Sequence, residues 1–154
     1  MAIDFDKLYE AMSDFASGKV YILDMDTGEI IVISPAVQNI IEKERTGSTL
    51  TSSERAILKE VKEKFDHKRK DRYVPIPKIE SRESYKIMQE FAETIKNESM
   101  RKKVEEALKA EKPFSKFNEI VLKHPQERKR WLEFRKEKII EIAKKWLDKI
   151  GVEY

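Results

Sequence analysis

The chain opens on a helical rhythm. In DFDKLYEAMSDFA, residues 4–16, the apolar positions Phe5, Leu8, Met12 and Phe15 recur every three or four residues, predicting an amphipathic helix with Asp4 at its N-cap and Gly18 beyond its end. The rhythm then changes. KVYILDMDTGEIIVIS contains two runs rich in β-branched and aromatic residues around Asp26-Thr27-Gly28, which predicts a hairpin with strands Val20–Leu23 and Ile30–Ile33 and Gly28 supplying the positive φ of the turn. Neither strand alternates apolar with polar. Both faces therefore need cover, or another strand or subunit must complete the sheet.

Helical spacing returns at Ser34-Pro35, an N-cap followed by a first-turn proline, with Ala36, Val37, Ile40 and Ile41 forming a short helix that ends before Gly47. Thr51 and Glu54 form a capping-box pattern ahead of the stripe Ile57, Leu58, Val61 and Phe65. The charged DHKRKDR is a helix end or exposed connection. RYVPIPKI cannot be a central strand, because Pro75 and Pro77 lack the N–H donor, so it reads as an extended edge segment.

Everything beyond reads as helix. Ser81 starts a segment carrying Tyr85, Met88, Phe91, Ala92 and Ile95, and Asn97 caps one carrying Met100, Val104, Ala107 and Leu108. Pro113 opens a third with Phe114, Phe117, Ile120 and Val121, which stops near Pro125. The last helix is predicted from about Gln126 to Ile150, closed by Gly151. At about 100° per residue, Leu132, Ile139, Ile142, Ala143, Trp146 and Ile150 share one face with Trp131 and Leu147 at its flanks. Arg135 projects into the middle of that face, and Phe134 points toward the polar side.

The expected fold is α+β and predominantly helical: an N-terminal helix and β-hairpin followed by a C-terminal helical bundle. At 154 residues the chain is long enough for a single domain, residues 1–154, with a subdomain division into 1–72 and 73–154.

The order of these pieces resembles uncharacterised protein family 0158, a bacterial group. The matching stretches are LYEAMSD, YILDMDTGE, RYVPIP, SYKIMQEF, ALKAEKPFSKF, WLEF and AKKWLDKIG, which together span nearly the whole chain. The resemblance implies a common fold and carries no activity and no catalytic residue. Ala110-Glu111-Lys112 stands where the family's small glycine-bearing turn precedes the Pro-Phe pair.

Composition narrows the chemistry. A hydrophobic share of 40% indicates a folded protein, and a charged share of 40% with a net charge of only +3 means the two signs largely cancel. With no cysteine there is no disulfide, thiolate zinc site or cysteine nucleophile. MAIDFDKLYE has no basic-then-apolar leader and apolar runs are short, so the expectation is a cytoplasmic protein without membrane contact. His67 and His124 lie at no ligand spacing from one another, and the four glycines form no phosphate loop or dinucleotide fingerprint. No catalytic residue and no cofactor is predicted.

Three clusters remain as candidates. Asp24, Asp26 and Glu29 gather at the hairpin turn and are weak metal candidates, since turn chemistry alone explains Asp26 and Gly28 and Pro35 occupies the position of a calcium loop's bidentate glutamate. Residues 101–150 hold 16 Lys and Arg against 9 Asp and Glu. Within that basic half, Arg128, Arg130, Phe134 and Arg135 are the candidate anion or nucleic-acid contacts. Arg72 and Tyr73 form a basic-aromatic spot beside two prolines, a candidate interaction surface. The leading reading is a non-enzymatic binding or interaction module with a protein partner or self-association at the hairpin edge. The alternatives are nucleic-acid binding by the basic C-terminal helices and, behind it, a metal-dependent enzyme using the hairpin carboxylates.

Overall fold

The computed structural model describes residues 2–154. Its elements, in chain order, are α1 (Phe5–Ser13), β1 (Val20–Asp24), β2 (Ile30–Ile33), α2 (Pro35–Arg45), α3 (Ser52–Glu63), a 3-10 turn (Lys70–Arg72), β3 (Tyr73–Pro75), α4 (Ser81–Glu93), α5 (Glu98–Lys109), α6 (Pro113–Val121) and α7 (Pro125–Ile150). The architecture is α+β and predominantly helical, with one small antiparallel sheet. Two compact units form: residues 1–78 together with 147–154, and residues 79–146. The division expected at 72/73 separates Arg72 from Tyr73, whereas the pairing of Tyr73–Pro75 with β1 draws that segment to the hairpin.

In the first unit, the Asp4 carboxylate accepts from the backbone N–H of Asp6 and Lys7, both at 3.1 Å, and α1 buries Leu8, Ala11 and Met12. The helix ends at Ser13. Asp14 next accepts from the N–H groups of Ala16 (3.2 Å) and Ser17 (3.0 Å), a turn that competes with helix and leaves Phe15 60% exposed rather than in the core.

The sheet order is β2-β1-β3, so of the alternatives left by the hairpin's apolarity a further strand from this chain is present. One face presents Tyr21, Leu23 and Ile30, all buried, and the other presents Ile22, Ile31 and Ile33, half-buried. Gly28 takes φ 79°, and its N–H reaches the Asp24 carbonyl at 2.8 Å to close the turn. Gln38 on α2 clips the open end of the hairpin, its side-chain amide donating to the carbonyls of Ile33 (3.0 Å) and Gly18 (2.9 Å). Thr51 and Glu54 form the predicted capping box of α3.

The second unit is built on aromatic packing. Phe91 on α4 contacts Phe117 of α6 and Trp131 and Phe134 of α7 at centroid distances of 6.2, 5.3 and 5.5 Å. Phe117 and Trp131 meet edge to face at 4.7 Å. The buried side of α7 is consequently rotated from the expected one. Its row is Trp131, Arg135, Ile139, Ala143 and Leu147, an i, i+4 ridge in which only Arg135 is polar and half-buried. Leu132, expected inside, is 47% exposed, and Trp131 and Leu147, expected at the flanks, are 3% and 0% exposed. Partner aromatics on α4 and α6 select this face, which a helical wheel of α7 alone does not contain.

Lys112 supplies the N-cap of α6 with φ 54° and ψ 55°, the single positive-φ residue other than glycine among the described residues. An L-residue with a Cβ is strained in that left-handed region by about 1–2 kcal/mol, and its side chain is exposed. Lys112→Gly should therefore raise stability by about 1 kcal/mol after glycine's greater chain entropy is allowed for, read as a higher urea midpoint at unchanged slope. Phe117→Ala, which empties a side chain of 0% exposure, should cost roughly 3–5 kcal/mol in the same measurement.

Candidate functional site

The hairpin acids are engaged inside the first unit. Asp24 is 4% exposed, and both its carboxylate oxygens accept from Arg72, Oδ1 from Nε at 2.7 Å and Oδ2 from an Nη at 2.8 Å. Oδ1 also accepts the backbone N–H of Asp26 at 3.0 Å. Asp26 in turn receives Arg69 at 2.9 Å and lies 3.6 Å from the Arg72 Nε. These bonds hold Asp24 well below the usual carboxylate range, at about 2, with the Arg72 hydrogen bonds the largest cause and burial opposing them; Arg72 is raised by the same pair. Glu29 is exposed, with its backbone N–H on the Thr27 hydroxyl at 3.2 Å. Two of the three candidate ligands thus face guanidinium groups. Among the described residues no group of three or more histidine or carboxylate side chains is gathered as metal ligands.

Arg72 and Tyr73, expected as an interaction surface, are half-buried and committed to this construction. The guanidinium carbon lies 5.4 Å from the Tyr73 ring centroid, Phe65 packs edge-on to the same ring at 4.9 Å, and the Tyr73 hydroxyl accepts the Asp66 N–H at 2.8 Å.

A polar cluster that the sequence did not announce joins Asp14, Ser17, Tyr21 and Lys78. Asp14 accepts the hydroxyls of Ser17 and Tyr21, the latter at 2.7 Å. Lys78 Nζ lies 4.5 Å from the Tyr21 centroid and donates to the Ala11 carbonyl at 2.9 Å. Burial, aided by Asp14, pushes the Tyr21 phenol up to about 12, while the Ser17 and Tyr21 bonds push Asp14 down. At neutral pH the tyrosine is a donor and the aspartate an acceptor, each already matched. The cluster contains no base poised to take a proton.

The four candidates on α7 do not form one surface. Arg130 and Phe134 border the aromatic core of the second unit: exposed Arg130 donates to the Thr94 hydroxyl (2.8 Å) and carbonyl (3.2 Å), pairs with Glu127 and lies over the Phe91 ring, while half-buried Phe134 packs on Phe91. Arg128 lies one turn before exposed Leu132, whereas Arg135 lies in the row between Trp131 and Ile139. Arg128 is exposed and Arg135 half-buried. The basic-aromatic pattern is therefore split, with its aromatics turned inward.

The two outer edges of the sheet differ. Between β1 and β3 the bonded pairs include Met25 N–H to Arg72 C=O and Ile76 N–H to Tyr21 C=O, both at 2.8 Å. Alternation then directs Tyr73 and Pro75 to the outer edge of β3. The Tyr73 N–H is taken by the Lys70 carbonyl, and Pro75 and Pro77, next in the same alternation, have none. On the opposite edge, the Asp24 N–H to Glu29 C=O bond (2.9 Å) sets the alternation that turns Ile30 and Val32 outward from β1. By that alternation the N–H and C=O of these two residues face away from β1, and among the described residues no backbone hydrogen bond from outside the strands reaches them. Val32 is 48% exposed.

A family model described as "Uncharacterised protein family (UPF0158)" matches residues 1–154, the whole chain. No curated protein and no solved structure matches. No helix of the described residues is long and apolar enough to cross a membrane.

The Asp24 carboxyl has a lower pKa folded than unfolded, so its contribution is complete above the ordinary value of 3.8 and is lost as pH falls toward about 2. Asp24→Asn should cost about 2 kcal/mol at neutral pH by that shift. The gap between the two urea midpoints should close as the pH is lowered from 5 to 2, because protonation then does to the wild type what the substitution does to the variant.

Proposed function

The chain belongs to the uncharacterised protein family UPF0158, and within that family we propose that it acts as a non-enzymatic cytoplasmic interaction module that self-associates through the open edge of β2. The observation that carries this reading is the asymmetry of the sheet. The β3 edge offers no free donor, since its outward N–H groups are absent or bonded, whereas β2 presents two unpaired N–H and two unpaired C=O groups on the all-apolar run Ile30–Ile33.

A second copy fits that edge. Antiparallel pairing about a two-fold axis at Ile31 sets Ile30 opposite Val32 of the other copy and Val32 opposite Ile30. All four outward groups on each strand then pair, giving four hydrogen bonds in total. Glu29 falls opposite Ile33, so no like charges are opposed. Four residues per strand bury far less than a standard interface, so the association is weak and concentration-dependent. The nucleic-acid reading draws less support, because a stacking platform needs exposed aromatics and Phe134 packs against Phe91. The absence of cysteine accords with a reducing compartment.

Sedimentation across a wide concentration range should show a monomer–dimer equilibrium, with the Ile30 and Val32 amides exchanging more slowly as protein concentration rises. Val32→Lys, which sets an ammonium group on the exposed edge, should hold the protein monomeric without lowering its melting temperature appreciably. A constant monomer mass together with concentration-independent exchange at those two amides would refute the reading.

A further inference from the structure

Between α2, α3 and residues 64–67 of the first unit lies an open cleft of about 620 Å³, within the size range of small-molecule sites. We propose that it binds a small amphipathic anion: a single carboxylate or phosphate head held by Arg55 and Lys59, with an apolar body laid on Leu50, Leu58 and Phe65. All five residues line the cleft.

The walls are fixed before any ligand arrives. Phe65 is held edge-on by Tyr73 at 4.9 Å, and the backbone just beyond it is tied by the Asp66 N–H to the Tyr73 hydroxyl. The His67 ring nitrogen Nε2 lies 3.0 Å from the Lys62 carbonyl; a carbonyl only accepts, so Nε2 carries the hydrogen and the ring is anchored to the end of α3. Across the cleft, Lys62 and Glu44 join α3 to α2 at 2.8 Å. Leu58 is 6% exposed and forms the floor. A lining held at this many points needs little reordering on binding, which lowers the entropic cost of taking a ligand.

Charge selects the sign of the guest. Lys62 and Glu44 cancel one another. Arg55 and Lys59, one turn apart on α3, are both exposed and have no carboxylate within ion-pair distance among the described residues. Glu63 is the remaining lining acid, so the rim carries a net charge of one positive, apart from His67. A planar guanidinium beside an ammonium suits one multi-oxygen anionic head, and the apolar floor beside it rejects a fully hydrated inorganic ion. Two cations are too few to track a polymer of phosphates, so the guest is a small molecule.

The test follows amide and aromatic NMR signals of the intact chain during titration with octanoate, octyl phosphate, 1-octanol and octylammonium, which share one tail and differ in head. Octanoate or octyl phosphate should produce saturable shifts at Leu50, Leu58, Phe65 and His67. The tighter of the two identifies the head, and 1-octanol and octylammonium should bind more weakly. The double variant Arg55→Glu, Lys59→Glu should weaken the anion by at least about tenfold, with unchanged circular dichroism and melting showing that the fold is intact. Equal binding of octanol and the two anions, undiminished binding by the double variant, or shifts confined to other parts of the chain would each overturn the proposal.

Discussion

Removing the Asp24 carboxylate from water costs several kcal/mol, and the Arg72 guanidinium offsets that cost because both of its N–H···O bonds form at once. The consequence reaches beyond two residues. β3 is three residues long and ends in a proline, so its ladder alone is a weak claim on β1. A slip of one residue would turn every side chain of β3 to the opposite face. The ion pair supports the register, since at Asp24↔Tyr73 the residue before Tyr73 reaches the carboxylate two-pronged. With that register fixed, Tyr73 stands under Phe65, its hydroxyl meets the Asp66 N–H, and Arg69 reaches Asp26. The connection between α3 and the sheet is thereby folded down by a contact that spans 48 residues of sequence.

The same economy of partners runs through the polar groups. Among the described residues no buried side-chain nitrogen or oxygen lacks a hydrogen-bond partner. Among the groups that usually signal chemistry, Asp24 and the Asp14–Tyr21 pair are matched internally, with the two carboxyls pushed down and the phenol pushed up. The unmatched remainder has a different character. It includes the backbone groups of Ile30 and Val32 and the cations Arg55 and Lys59 above an apolar floor. Groups of this kind are suited to pairing with a strand or with an anion, which is why the proposals rest on an edge and a cleft.

Local features of the fold were legible because they depend on neighbours in sequence. The N-caps at Asp4, Ser34, Thr51 and Asn97, the turn at Gly28 and the proline starts at Pro35 and Pro113 all stand where the residues predict them. The misreadings lie where a distant partner decides. Leu132 faces water and Trp131 the core because Phe91 and Phe117 choose the face of α7. Phe15 leaves the core because Asp14 turns the chain toward Tyr21. Lys112 takes a glycine's conformation because the chain must reverse between α5 and α6, and Pro113 constrains only the helix it opens. At the candidate sites, Asp24 and Arg72 were each noticed, but nothing in a one-dimensional reading joins them. The cleft was invisible for the same reason, since Leu50, Leu58 and Phe65 converge only once the segment before β3 has folded back.

The two prolines of RYVPIP bear on function as well as on fold. Alternation along β3 puts Tyr73, Pro75 and Pro77 on one line, and together they leave that edge without a single available N–H. Edge strands are otherwise templates for pairing, and sequences commonly block them with proline, lysine or short length. Here one edge is blocked three times over, while the other carries Ile30, Ile31, Val32 and Ile33 with no charge and no proline. Had the whole sheet been shaped only to avoid association, a single lysine at Val32, already half exposed, would have sufficed at no cost to the core. A sheet closed on one side and left open on the other has a direction in which it can grow by one strand, and that direction leads outward from β2.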